Sequence, residues 1–465
     1  MNLMGIDVGT TSVKTAIFNE SLKLLKSSNI DYVVQAKGDV VEFSSEKYWE
    51  IVENELKNLD IKVDALAIDT QCETLILTDE FGNPCRNAIV WLDNRATKEA
   101  EIIEKHFGRE LVYKVTGQPE ITATWPACKL LWVKNNEPEV WAKTKKIFLL
   151  EDYLLYKLTG KFVTEKTLQS STIYFDINKG IWWKDMLDFI GVSNEMLPSL
   201  YDSGVLVGEY NGIKVVTGAM DQVSGAIGAG VIKKGIVSEM TGTTMVIFSP
   251  CDSVPKYNKD SIIPCHYNYD GKYCLLAWSS TAGMALKWFK NALCEDFSFK
   301  DLDALAENIS VGSDGLTFLP YLCGSTMPKY NPSARGSFTG LTPEHTRGHF
   351  VRSIMEAISC TLKENLDYLG AEVSEIRAMG GGANSSLWCQ MKADLTNKTL
   401  VTLENNETAC LGVAILAGVG IGLFKDVESV SSLIKVKKTF TPSGQDYSKC
   451  YENYLKADAI LNVRK

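Results

Sequence analysis

The stretch Met4-Gly-Ile-Asp-Val-Gly-Thr-Thr-Ser-Val-Lys14 reads as a short apolar strand, a tight turn at Gly9-Thr10-Thr11-Ser12, and a β-branched strand from Val13 to Phe18. Glycine at the tip of such a hairpin lets backbone N–H groups point outward with no Cβ in the way. The hydroxyls of Thr10, Thr11 and Ser12 add donors, which makes the turn a cradle for phosphate. Asp7 enters the turn and Lys14 leaves it, so a carboxylate able to hold hydrated Mg²⁺ and a cation able to meet phosphate oxygens flank one site. The same residues also suit an ordinary hairpin in which the aspartate bonds its own turn and the lysine stays in solvent.

The motif recurs in Gly235-Ile-Val-Ser-Glu-Met-Thr-Gly-Thr-Thr-Met-Val-Ile-Phe248, again strand, Gly-Thr-Thr turn, strand. Gly242 lies 233 residues after Gly9 (242 − 9) in a chain of 465, so the turns occupy equivalent places in two halves of a duplicated α/β protein. Asp7 has Met240 as its counterpart, and only the first half offers a metal carboxylate. One charged and one neutral hairpin suggest a nucleotide polyphosphate gripped in a cleft between the halves.

Composition bounds the partners. With 45% hydrophobic and 23% charged residues the chain is ordinary globular protein, long enough for two domains. A net charge of −9 without a basic block argues against nucleic acid and anionic membranes, leaving small solutes. Met1 to Gly5 lacks the basic and apolar regions of a secretion signal, and the 16-residue apolar run Ala409 to Phe424, broken by glycines, fits a buried helix better than a membrane span. Twelve scattered cysteines with no Cys-x-x-Cys pair read as reduced thiols of a cytoplasmic protein, and four dispersed histidines offer no zinc site.

Along the first half, a third strand is expected around Ile30 to Val34, followed by a helix capped at Ser44 or Ser45 that buries Trp49, Val52, Leu56 and Leu59. A buried strand Ala65 to Ile68 delivers Asp69-Thr-Gln-Cys-Glu73 at its end, where open α/β sheets place ligand groups. Helices follow from Pro126 and over Glu151 to Leu158, the latter stopped by Gly160. Strand Val215 to Thr217 leads to Asp221 and a helix rich in small residues, which allow close approach to another element; the boundary falls just after it, giving domains 1–231 and 232–465. In the second half, Leu319 to Gly324 reads as a surface loop. Phe350 to Leu369 reads as an amphipathic helix, strand Ile376 to Met379 runs into Gly380-Gly-Gly-Ala-Asn384, and the tail after Lys435 is polar and helical.

No Gly-x-x-x-x-Gly-Lys-[Ser/Thr] or dinucleotide fingerprint is present, so phosphate recognition rests on the hairpins. The triple glycine could let a ring or ribose lie on the backbone with Asn384 reading its edge, or could be a flexible connection. Asp221 could be only a helix cap, Asp93 and Arg95 a surface ion pair, and Trp91 and Trp125 core residues.

Taken in order, Asp7-Val-Gly-Thr-Thr11 with Lys14, Trp91-Leu-Asp-Asn-Arg95, Lys129-Leu-Leu-Trp132, Asp152-Tyr-Leu154 to Leu158-Thr-Gly160, and Asp221-Gln222 make a series. It continues with Gly242-Thr-Thr244, Leu319-Pro-Tyr-Leu322 with Ala334-Arg-Gly336, and Gly380-Gly-Gly-Ala-Asn384 leading to Gln390-Met-x-Ala393-Asp-Leu395. Over almost its full length the chain resembles the FGGY carbohydrate kinases. The resemblance implies two actin-like, RNase-H-like domains that close around MgATP and a sugar or polyol, with transfer of the γ-phosphate to a hydroxyl. It implies Asp221 as base and Asp7 as the Mg²⁺ carboxylate. Thr10, Thr11, Ser12, Lys14, Gly242, Thr243, Thr244 and Gly283 would then surround the phosphates, with Gly381, Gly382 and Asn384 near adenosine. Gln71, Cys72, Glu73, Asp93, Trp125, Asp221 and Gln222 would face the substrate. The start of a helix is expected to keep Asp221 ionised.

The resemblance mixes two flavours. Lys14 and Trp91 with Asp93-Asn94-Arg95 look like xylulose kinases, whereas Gln71-Cys-Glu-Thr74 and Asp221-Gln222 look like glycerol kinases, which carry Arg where this chain has Cys72. A pentulose such as xylulose is therefore the first expectation, with glycerol, erythritol or ribitol as alternatives. An actin-like nucleotide switch without sugar phosphorylation is a reading of another class. A homodimer is compatible with all of them.

Overall fold

The computed structural model describes residues 1–259 and 263–461, which fall into two compact units. The first takes Met1–Ile232 and also Cys251–Cys274 and Glu407–Ile434; the second takes Lys233–Pro250, Leu275–Asn406 and Lys435 onward. A single cut after residue 231 therefore leaves out two returning segments, which a division by sequence halves has no means of assigning.

Each unit is built on one sheet pattern. In the first, β1 (Asn2–Val8), β2 (Ser12–Asn19), β3 (Leu24–Asp31), β4 (Ala65–Thr70), β5 (Leu206–Tyr210) and β6 (Ile213–Val216) lie side by side in the order β3-β2-β1-β4-β6-β5. Apolar residues fill β1 and β4, and β4 is buried along its whole length, as a strand covered on both faces must be. In the second unit β7 (Ile236–Thr241), β8 (Met245–Cys251), β9 (Tyr273–Ser279), β10 (Glu375–Met379), β11 (Thr399–Leu403) and β12 (Val436–Phe440) run β9-β8-β7-β10-β11-β12. The hairpin strands are antiparallel and the next two strands parallel in both units. The duplication inferred from two Gly-Thr-Thr turns thus extends through the whole sheet, except that the antiparallel edge strand precedes its partner in the first unit and follows it in the second.

The apolar run near the C-terminus forms the Thr408–Gly420 helix, and it supplies the close neighbour that the small residues after Asp221 anticipate. A Cβ on Gly228 would lie 1.8 Å from the Thr408 carbonyl oxygen, and one on Gly412 would lie 1.9 Å from that of Ser224. The Asp221–Gly228 and Thr408–Gly420 helices therefore touch backbone to backbone. The second of them also rests on β1, where a Cβ on Gly5 would be 1.8 Å from the Cys410 carbonyl oxygen.

Several local expectations change. The third strand is Leu24–Asp31, because it pairs with β2 along its length rather than beginning where the sequence turns apolar. The helix after Ser44 buries Tyr48, Val52 and Leu56; Trp49 is half-buried, and Leu59 lies beyond the C-cap at Asn58. Residues 319–327 are mostly buried, since Tyr321 donates to Asp458 of the C-terminal helix and so satisfies a polar loop inside the fold. The Arg347–Leu369 helix is buried on nearly every side over its first half rather than along one stripe. The tail after Lys435 contributes β12 before its helix.

The helix contact yields a stability test. Gly412→Ala meets a backbone oxygen that cannot move aside and should lower stability by about 1–3 kcal/mol in urea unfolding. Gly225→Ala, which meets nothing within 4 Å on the opposing helix, should instead raise it by about 0.5–1 kcal/mol.

Candidate active site

In the first unit the ends of β1 and β4 and the start of the Asp221–Gly228 helix bring their polar residues together. Antiparallel pairing sets Asp7 opposite Lys14, and parallel pairing sets it beside Asp69. Gly9 N–H closes the turn onto Ser12 O at 3.0 Å. Tyr32 Oη donates to Gly9 O, and Trp91 Nε1 donates to Thr10 Oγ1 at 2.9 Å. Indole has only a donor to offer, so the Thr10 hydroxyl must accept from it and keeps its own hydrogen for another acceptor. Thr11 is exposed and Ser12 half-exposed at the tip.

Asp221 Oδ1 accepts from Gln222 N at 2.7 Å and lies 3.6 Å from Cys72 Sγ; among the described residues Oδ2 has only a 3.4 Å contact, with Gln222 Nε2. Glu73 follows in left-handed backbone with φ 55°. Its carbonyl and that of Val90 each accept from the buried Lys129 ammonium at 3.0 Å. Lys129, which the sequence presents only as part of a helix motif, thus ties the loop after β4 to the segment carrying Trp91.

Crowding of carboxylates sets the electrostatics. Burial raises Asp7 to about 6 against the pull of Lys14, with Asp221 adding to the rise. Asp69 is 0% exposed and rises well above the ordinary range, through burial and then the neighbouring Asp7. Among the described residues neither Asp69 side-chain oxygen has a hydrogen-bond donor. Burial also lifts Asp221, by more than the Gln222 and Cys72 donors lower it. Glu73 rises to about 8 and Lys129 falls to about 7, both through burial. Burial lowers Lys14, but Glu407 at 3.6 Å and Asp7 more than offset it, leaving Lys14 above its usual value.

Other expected residues are placed less directly. Gln71 is buried, its Nε2 donating to Tyr48 Oη at 2.8 Å while Oε1 has no donor among the described residues. Asp93 and Arg95 form a buried pair rather than a surface one: the Asp93 carboxylate accepts from Arg95 and from Val41 N at 2.6 Å. Asp93 is thereby engaged in holding its loop. Trp125 precedes the Pro126–Asn136 helix, half-buried, with Nε1 on Glu120 O at 2.8 Å.

In the second unit, Gly242, Thr243, Gly283, Gly381, Gly382 and Asn384 line one groove of about 1140 Å³, whose other wall includes Phe299, Asp303 and Glu307. The three glycines have separate reasons. Gly380 has φ 74° and ψ −169°, open only to glycine. A Cβ on Gly382 would lie 2.7 Å from the Thr241 side chain, whereas Gly381 faces open space. Behind the turn, Lys392 Nζ meets Glu239 at 2.9 Å and Thr241 Oγ1 at 2.8 Å, all fully buried. Lys392 occupies the unassigned position of the Gln390-Met-x-Ala393 motif, and only the fold shows what it reaches.

A duplicated actin-like, RNase-H-like α/β fold with a phosphate-type hairpin in each unit, and carboxylates around one of them, defines a phosphotransferase. The FGGY family of carbohydrate kinases matches in its N-terminal domain over residues 2–230 and in its C-terminal domain over 241–421. The chain belongs to that family and is a carbohydrate kinase, which uses ATP to phosphorylate a hydroxyl of a small sugar or polyol. It is similar to the xylulose kinase of Bacillus subtilis (strain 168), 31% identical over 96% of this chain and 94% of that one. It is also similar to the gluconokinase of the same strain, 27% identical over 97% and 94%. Among solved structures, ligand-bound xylulose kinase from Lactobacillus acidophilus superposes with a TM-score of 0.91 at 26% identity, covering 99% and 98% of the two chains.

The raised Asp7 carboxyl makes stability depend on pH. The folded protein holds this proton up to about pH 6 while the unfolded chain releases it near 3.8, so the contribution is complete below the lower value and lost as pH rises through the upper. Asp7→Asn should flatten this fall in urea midpoints measured from about pH 4 to 7 without divalent ions. An unchanged slope would show that Asp7 ionises freely.

Proposed function

We propose that the substrate is a five-carbon ketose of the xylulose type and that Asp221 is the base that takes its proton. The observation that carries the substrate reading is Cys72 beside Asp221 at 3.6 Å. A short polyol such as glycerol would gain from a guanidinium there, and a thiol cannot replace one. The similarity to xylulose kinases over nearly the whole chain supports the same choice. Cys72, Glu73, Trp125 and Gln222 are the side chains proposed to face the sugar, with Gln71 and Asp93 holding the loops beneath them. No helix among the described residues is long and apolar enough to cross a membrane; a cytoplasmic enzyme acting without nucleic acid is the reading we adopt.

The chemistry follows from the two oxygens of Asp221. Oδ1 is occupied by Gln222 N and Cys72 Sγ, leaving Oδ2 as the freer acceptor for the substrate proton. A carboxyl raised by burial is a better base than an exposed one. Asp7, half-exposed beside the phosphate turn, fits Mg²⁺ as a single carboxylate, the arrangement in which the ion keeps waters and phosphate oxygens as its other ligands. Among the described residues no three His, Cys, Asp or Glu side chains converge into a protein-built metal cage. Bound Mg²⁺ would neutralise phosphate charge, while Thr10, Thr11, Ser12 and Lys14, and in the second unit Gly242, Thr243, Thr244 and Gly283, would position the phosphates. Gly381, Gly382 and Asn384 would take the adenosine.

A coupled ADP-release screen over xylulose, ribulose, gluconate, erythritol, ribitol and glycerol tests the substrate, with xylulose expected to give the highest kcat/KM. A higher value for glycerol would remove the argument from Cys72. Asp221→Asn should keep both KM values within about threefold and lose about 10²- to 10⁴-fold in kcat. Retention of near wild-type kcat would reduce Asp221 to a helix cap.

A further inference from the structure

Glu151, Asp152 and Glu165 are 0% exposed, and among the described residues no lysine or arginine pairs with any of them. Phosphoryl transfer as described above uses none of the three. Two of them point at the turn that carries Asp221. Glu151 Oε1 accepts from Gly218 N at 3.1 Å. Glu165 accepts from Thr167 Oγ1 at 2.9 Å, and Thr167 Oγ1 accepts from Met220 N at 2.8 Å. A hydroxyl has one hydrogen; with that hydrogen committed to Glu165, Thr167 can present only a lone pair to Met220. Met220 is the residue before Asp221 and caps its helix.

The opposite side of the turn has no slack. A Cβ on Gly218 would lie 1.8 Å from the carbonyl oxygen of Ile68 in β4, the strand that leads to Gln71, Cys72 and Glu73. Ser224 Oγ donates back to Ala219 O at 2.9 Å. Residues 217–220 are thus pressed on β4 and hung from two buried carboxylates, one directly and one through Thr167. The distance from Asp221 to Cys72 depends on where this turn sits.

We propose that Glu165 and Thr167, with Glu151, are positioning residues that fix Asp221 against the substrate-facing end of β4. The inference rests on Asp221 being the base. Its own content is that the Glu165-Thr167-Met220 relay sets the reach of that base. An error of about 1 Å in such a placement can cost on the order of 10²-fold in rate while leaving binding intact.

The test uses the full chain with D-xylulose and MgATP, comparing Thr167→Val, Thr167→Ser, Asp221→Asn and the Asp221→Asn/Thr167→Val double variant by kcat, both KM values and thermal midpoint. Thr167→Val, which keeps the shape and loses the acceptor, should lower kcat about 10- to 100-fold with KM for ATP within about twofold. Thr167→Ser should restore at least about half of kcat, and the double variant should be no slower than Asp221→Asn alone. A purely structural role would lower the thermal midpoint of Thr167→Val and leave its kcat per folded molecule unchanged, and that result overturns the proposal. So does a Thr167→Ser enzyme as slow as Thr167→Val. If Thr167→Val does not fold, Glu165→Gln replaces it, with kcat expected to fall at least about fivefold and a wild-type kcat overturning the proposal. Activity surviving in Asp221→Asn would instead count against the base assignment, so the two failures are distinguishable.

Discussion

The arrangement of the first unit depends on one backbone contact. Where the Asp221–Gly228 helix meets the Thr408–Gly420 helix, neither Gly228 nor Gly412 has room for a Cβ, and the second helix makes the same kind of contact with Gly5 of β1. Glycine in a helix interior costs roughly 1 kcal/mol relative to alanine, so its use here reflects a distance that no other residue permits. One helix from the end of the chain therefore registers both the strand that carries Asp7 and the helix that starts at Asp221. The two carboxylates are placed by main chain rather than by adaptable side chains, which suits groups whose separation decides chemistry.

That rigidity has an electrostatic cost. Asp7, Asp69, Asp221 and Glu73 are all raised chiefly by burial, with Lys14 and Lys129 as the nearby cations. Lys129 is itself depressed by burial and spends its hydrogen bonds on two carbonyls. Asp69 lies fully buried behind Asp7, which leaves Asp7 as the half-exposed carboxylate at the turn. The cluster is short of positive charge in a way that a divalent ion and its phosphate partner would relieve.

Much of this was legible in the sequence, and what was not has a common cause. The paired hairpins, the strand delivering Gln71 to Glu73, Pro126 at a helix start and Gly160 past a helix end all follow from local pattern, because turn chemistry and periodicity are local properties. Asp69 beside Asp7 is a matter of parallel register between strands about sixty residues apart, which no local pattern encodes. The return of 251–274 and 407–434 to the first unit is likewise a long-range crossing. Lys392, Glu165 and Thr167 sit in stretches whose composition is unremarkable until the fold shows what they reach. The charges of Asp93 and Arg95 are compatible with a surface pair, and only the fold brings Val41 N–H and Glu42 onto them and takes them out of solvent.

The duplicated sheet shows how one backbone design supports two tasks. At the position two before the turn, the first unit pairs Asp7 with Asp69 and the second pairs Met240 with Met379, in the same parallel register. The charge absent from that place in the second unit lies one residue earlier, in a fully buried Glu239 that together with Lys392 grips Thr241 from behind the turn. A buried ion pair is weak evidence for net stability but strongly constrains position, since breaking it strands a charge. In the first unit the residue before the turn is the apolar Val8, and the anchors come from the side, through Tyr32 on Gly9 and Trp91 on Thr10. The hairpin geometry is common to both units, whereas the means of holding it differ. Charge beside the turn serves a ligand in one unit, and charge behind the turn fixes the backbone in the other.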